Sequence, residues 1–206
     1  VKGESKMTPR ELISCLDRRE IPTETLHLED EYNIDSYHLR TEATDRGMWS
    51  IVDKIWTKEL AEWIGGRKCL EIMAGYGWLA KALKEHNVDI VATDNFEWVG
   101  FSHSKGKPFS FVEKLDGFDS IKKYSKSDIL IISWPPYLNE VVCDMCNEWG
   151  SDKPIIYIGE GYGGCTATDT FHENLKLKED LYFPMPQWGG MHDHVSIGYY
   201  KEEVTK

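Results

Sequence analysis

The feature that most constrains the fold is an alternation of two hydrophobic periods. Short apolar runs at residues 68–73, 88–93, 111–114 (a weak one), 128–132 and 154–158 are separated by helical patterns at 78–86, 117–124 and 139–149. Strands joined through helices cannot pair as tight hairpins, so they form βαβ units with right-handed crossovers and a mostly parallel sheet. After a helix at about 169–177 the alternation stops. Two strands, 181–185 and 195–201, follow with no helical pattern between them, which predicts an antiparallel hairpin at one sheet edge.

The N-terminal part reads differently. Thr8-Pro9-Arg10-Glu11 combines an N-cap Thr, a Pro at the first helical position and a Glu three residues on, so a short helix should run from Pro9 to about Arg19. Residues 20–47 hold Pro22, many acids and no sustained period, together with Tyr32, Tyr37, His38 and Arg40, and read as an irregular arm able to cover a site. From Met48 the stripe Met48, Val52, Ile55, Trp56, Leu60, Trp63, Ile64 predicts a helix that Gly65-Gly66 stops. The expected organisation is a helix and arm over 1–47, a possible lid, and one α/β domain over 48–206.

Charge limits the partners. Twenty-four Lys and Arg against 35 Asp and Glu give a net charge of −11, which disfavours duplex nucleic acid and leaves a small molecule or a protein as the expected partner. Lys105 and Lys107 beside His103 make one local basic patch that can receive a single phosphate. Five scattered cysteines suit free thiols better than disulfides, and Cys143-Asp144-Met145-Cys146 falls inside a helical pattern without a second pair, so core thiols are expected rather than a metal site. No apolar run is long enough to span a membrane and the first residues lack a signal-peptide pattern, so the expected compartment is the cytoplasm. Oligomeric state is not legible.

The chemistry concentrates at strand ends. In Glu71-Ile72-Met73-Ala74-Gly75-Tyr76-Gly77 a strand ends in an acid, a small-residue turn follows and a helix begins, which lets a ligand approach the backbone. Seventeen residues beyond Gly77 the next strand ends in Asp94-Asn95, where a carboxylate can accept from both hydroxyls of a ribose. Gly75 to Ala80 also fits the dinucleotide fingerprint G-x-G-x-x-A, and the two glycines also suit plain strand–helix packing. Ser133-Trp134-Pro135-Pro136-Tyr137 follows a strand, with prolines stiffening its turn. Four glycines in residues 159–164 surround Glu160, which can orient a donor or act as a base. Met191-His192-Asp193-His194 places two imidazoles on one side of an extended segment.

Residues 67–201 resemble the class I S-adenosylmethionine (SAM) dependent methyltransferases. Their glycine-rich first loop is similar to residues 71–77, their ribose acid to Asp94, their adenine-contacting acid to Asp116, and the amino-methyltransferase motif D/N/S-P-P-Y/F/W to residues 133–137. The resemblance implies a Rossmann-like three-layer α/β sandwich, a mostly parallel seven-stranded sheet with an antiparallel C-terminal strand, preceded by the N-terminal helical extension. It implies SAM as cofactor, held by Glu71, Ala74, Gly75, Gly77, Asp94, Asn95 and Asp116, and methyl transfer to a nitrogen or oxygen at an acceptor site shaped by Ser133, Trp134 and Tyr137, with Glu160 beside it; no metal is implied. Trp98 is placed to stack on the purine or face the sulfonium. Met73 stands where the family's first glycine sits, and Trp134 separates Ser133 from the prolines. A non-catalytic nucleoside-binding protein, or a SAM-using enzyme that transfers no methyl, would use the same pocket.

Overall fold

The computed structural model describes residues 6–28, 34–98, 105–178 and 181–201; Tyr32 and His103 lie outside them. The first helix, α1 (Pro9–Asp17), begins as its sequence specifies: Thr8 Oγ1 accepts from the Glu11 N–H, and the Thr8 N–H donates to Glu11 Oε2 at 2.8 Å. The arm is not irregular throughout. It contains α2 (Ile34–Thr44), which buries Ser36, Leu39 and Ala43 and exposes Ile34 and Tyr37. Its polar and apolar residues are mixed round the helix, so no stripe announced it. The next helix, α3 (Lys54–Ile64), starts six residues later than the stripe from Met48 implied. Asp53 caps it by accepting from the N–H groups of Ile55 and Trp56, and Met48, Ile51 and Val52 reach the core from extended chain.

The alternating units follow: β1 (Cys69–Ile72), α4 (Trp78–Glu85), β2 (Ile90–Asp94), β3 (Val112–Lys114), α5 (Gly117–Lys123), β4 (Ile129–Ser133), α6 (Val141–Trp149), β5 (Ile155–Gly159), α7 (Asp169–Asn174), β6 (Leu175–Leu177) and β7 (His194–Tyr200). The sheet order is β3-β2-β1-β4-β5-β7-β6, parallel except where β7 runs antiparallel to both β5 and β6. The edge strand that pairs with the last strand is not 181–185. It is β6, drawn from the tail of the expected 169–177 helix, while Phe183 and Met185 enter the core without strand pairing.

Period-two alternation divides the strands between two cores. Cys69, Ile129, Ile131, Ile156 and Ile158 pack with α1 to α4 on one face. Leu70, Ile72, Leu130, Ile132 and Ile155 pack with α5 to α7 on the other. The central strands are therefore apolar at nearly every position, as burial on both faces requires. All five cysteines are free, with Cys143 and Cys146 buried on α6. Among the described residues no helix is long and apolar enough to cross a membrane.

Candidate functional site

β1 pairs with β2 on one side and β4 on the other, so the chain leaves its carboxyl end in opposite directions and opens a crevice there. A cavity of about 780 Å³ fills it. Glu71, Ala74, Gly75, Asp94, Asn95 and Asp116 all line this cavity, as do Ser133, Trp134 and Tyr137. Gly77 and Glu160 do not. Gly77 is the N-cap of α4 at φ 88°, where a Cβ would sit 2.5 Å from Val112 Cγ2, so its place is in strand–helix packing.

Glu71 is 1% exposed. The Ala80 N–H donates to its carboxyl, while Oε2 has no partner. Burial, with a smaller push from Asp94, raises its pKa to about 8. A carboxyl this deep stays neutral unless a cation or further donors meet it. Met73 adopts φ 53°, so the left-handed turn that glycine usually serves survives with a side chain in place, at a cost of about 1 kcal/mol. The same turn brings the Gly75 N–H to within 2.7 Å of Asp94 Oδ2.

Asp94 collects two more donors, the Phe96 N–H at 2.7 Å and the Trp98 indole N–H at 2.9 Å, both on Oδ1. Its pKa is raised by burial, which these hydrogen bonds only partly offset. Trp98 lines the cavity, packs its ring 5.2 Å from Tyr76, and occupies an Asp94 oxygen that a ribose would seek. Asp116 caps α5 by accepting from the Phe118 N–H at 2.8 Å.

The segment before α3 forms one wall, through Gly47, Met48, Trp49 and Ser50. It is fastened: the Trp78 indole donates to the Arg46 carbonyl at 2.8 Å, the Gly106 N–H donates to the Asp45 carbonyl at 3.0 Å, and Lys105 pairs with Glu42 at 2.7 Å. Lys105 of the expected phosphate patch is thereby engaged within the chain.

Trp134 anchors the opposite wall. Held at φ 52°, it donates its indole N–H to both oxygens of Asp193 at 3.0 Å, with the Arg40 guanidinium 5.0 Å from its ring centroid and Trp49 at 5.7 Å. Asp193 is 1% exposed, and burial raises its pKa to about 6 against the pull of Trp134 and Arg40. The Pro135 carbonyl accepts from the Ala167 N–H at 3.4 Å. Tyr137 is the exposed aromatic of the motif.

A second cavity, of about 540 Å³, shares Tyr137 and Cys165 with the first and contains Glu160 and His192. Glu160 Oε2 accepts from the Cys165 N–H at 2.7 Å and Oε1 from the His192 N–H at 3.1 Å. Burial pushes the Glu160 carboxyl up, but the hydrogen bonds from Cys165 and His192 outweigh it and hold the pKa below its ordinary value. Burial and Glu160 push the Cys165 thiol up to about 11, so it is neutral. His192 and His194 are both exposed and Asp193 points inward, as alternation predicts. Sequence reasoning passed over Asp193 and Trp49. An acid between two exposed histidines was the available signal for the first, and none announced the second.

No family model and no curated protein matches the sequence. Among solved structures, the chain is similar to magnesium protoporphyrin IX methyltransferase (ChlM) from Synechocystis PCC 6803 with bound SAM, at 11% identity over 84% of this chain and 87% of that one, TM-score 0.50. It also matches a mutant of MtNAS at 11% identity, covering 77% of this chain and 63% of that one, TM-score 0.45. The mitomycin 7-O-methyltransferase MmcR matches at 12%, covering 82% and 58%, TM-score 0.43. This chain thus spans less than two thirds of the latter two. The likeness to ChlM and the strand order together establish that the chain has the Rossmann-like fold of the class I SAM-dependent methyltransferases.

Proposed function

We propose that the protein is a SAM-dependent methyltransferase whose acceptor is a small molecule or a protein. One observation carries the reading: carboxyls from three successive strand ends, Glu71, Asp94 and Asp116, line one cavity at the sheet's switch point, and the deepest has an oxygen with no partner. The donor set fits the cofactor. Glu71 would face a cationic group, Asp94 the ribose hydroxyls and Asp116 the adenine edge, with the backbone of 73–75 passing close alongside.

Bound SAM supplies an activated methyl group on a cationic sulfur. The chain's own contribution is positioning and exclusion of water: the fastened wall of Trp49 and the Trp134–Asp193 clamp fix the space where a nucleophile must lie about 3 Å from the methyl carbon. Of the described residues 6–28 and 34–47, Gly47 lines the cavity, and in this reading the arm covers the acceptor space from that edge. Calorimetric titration with SAM, S-adenosylhomocysteine and NAD tests it. The expected result is micromolar binding of the first two and none of NAD, with Asp94→Ala weakening S-adenosylhomocysteine at least about 100-fold through lost charge-assisted hydrogen bonds. Binding of none of the three refutes the reading. Binding without methyl transfer to any acceptor would favour a non-catalytic nucleoside-binding role.

A further inference from the structure

The second cavity has a composition of its own. Its floor is a nearly buried carboxylate, Glu160, 8% exposed and fixed by two backbone N–H groups, with the exposed His192 ring 3.8 Å from Oε1. Its rim is aromatic and open, with Tyr137 at 56% and Tyr162 at 66% exposure. The glycine loop keeps the carboxylate uncovered: a Cβ at Gly164 would lie 2.4 Å from Glu160 Cβ and 3.1 Å from Oε2. Any side chain there would crowd the group the cavity presents.

A held carboxylate beneath aromatic faces complements one chemistry, a compact cation attached to an apolar or aromatic body. Neutral alcohols gain little from such a site, and carboxylates or phosphates are repelled by Glu160 with Asp193 behind it. Because this cavity meets the first at Tyr137 and Cys165, a molecule seated in it reaches the wall of the candidate cofactor space.

We propose that this second cavity is the acceptor subsite and that it selects a small aromatic amine, its ammonium on Glu160 and its ring against Tyr137 and Tyr162. The role as acceptor subsite rests on the methyltransferase reading above; the selection of a cationic amine does not. For transfer, the ammonium loses one proton to solvent at the open rim of the cavity, because Glu160, held below its ordinary pKa, pairs with the cation rather than taking its proton. The nitrogen lone pair then forms the bond to the methyl carbon as the carbon–sulfur bond breaks with its electron pair left on sulfur.

The test is calorimetric titration of the full chain, alone and saturated with S-adenosylhomocysteine, with 2-phenylethylamine, 2-phenylethanol and phenylacetate. The amine should bind at least about tenfold more tightly than the alcohol or the acid, Glu160→Gln should cost at least about tenfold in amine affinity, and S-adenosylhomocysteine affinity should not move. Tyr162→Ala, an outward ring whose loss leaves the core intact, should weaken the amine several-fold and serves if Glu160→Gln folds poorly. Equal binding of amine and alcohol, no amine binding in either state, or unchanged amine affinity in both variants overturns the proposal. Failure of S-adenosylhomocysteine alone to bind removes the methyltransferase reading, while the amine titration of the unliganded chain still decides the selectivity.

Discussion

Glu71 gives the sharpest prediction, because burial raises its pKa to about 8 and its proposed ligand is a cation. With a pKa of about 8 in the folded chain, about 0.9 of the molecules carry the proton at pH 7. A cation seated against it restores the charged form, so binding of SAM at pH 7 should release up to about 0.9 proton. The assay is calorimetry in two buffers of different ionisation enthalpy, where the slope of apparent enthalpy counts protons. Glu71→Gln, which keeps an acceptor for the Ala80 N–H, should release close to none. The same group shapes stability: the folded state holds a proton that the unfolded chain, at its ordinary 4.5, has lost, so stability falls as pH rises from 4.5 through about 8. Denaturant unfolding should therefore show the Glu71→Gln variant gaining about 2 kcal/mol on wild type between pH 6 and pH 8. A wild-type slope of zero with SAM fully bound, or a variant that tracks wild type at both pH values, refutes the reasoning.

Other expectations follow from single contacts. Trp98→Phe removes the indole N–H from Asp94 and should tighten S-adenosylhomocysteine about 3–10-fold; weaker binding would mean the indole stays in place beside the ligand. Gly77→Ala must accept φ 88° and a Cβ 2.5 Å from Val112 Cγ2, so the denaturant midpoint should fall by the equivalent of about 2–3 kcal/mol, and an unchanged midpoint would remove the packing argument. Thr8→Ala breaks the capping box and should cost about 1 kcal/mol while leaving S-adenosylhomocysteine affinity unchanged, because no residue of α1 lines the cavity.

What could be read from the chain was whatever has a local cause. The capping box at Thr8, the two-sided apolar strands and the acid-ended turn at Glu71 each depend on neighbours within a few residues, and each lies where its pattern placed it. What was misread depended on distant partners. The β6 strand forms because Leu175 to Leu177 meet Tyr200 to Gly198, and no propensity within a three-residue segment can reveal that. The arm's helix is stabilised by what Leu39 and Ala43 bury rather than by a stripe. Residues 48–53 carried helical spacing, yet Asp53 stops the helix there by capping it. The candidate site divided the same way: its acids at strand ends were legible, whereas Asp193 became visible only once the fold carried it 59 positions back to the Trp134 indole.

The place of β7 has a consequence for the order of assembly. It inserts between β5 and β6, so until residues 194–200 are available β5 presents a bare apolar edge, with every residue from Ile155 to Gly159 destined for burial. A chain made from its N-terminus must hold that edge exposed while about 35 further residues are synthesised, an interval in which edge-to-edge pairing with another copy competes with folding. Truncation before His194 should therefore appear first as aggregation during expression, before any question of catalysis arises.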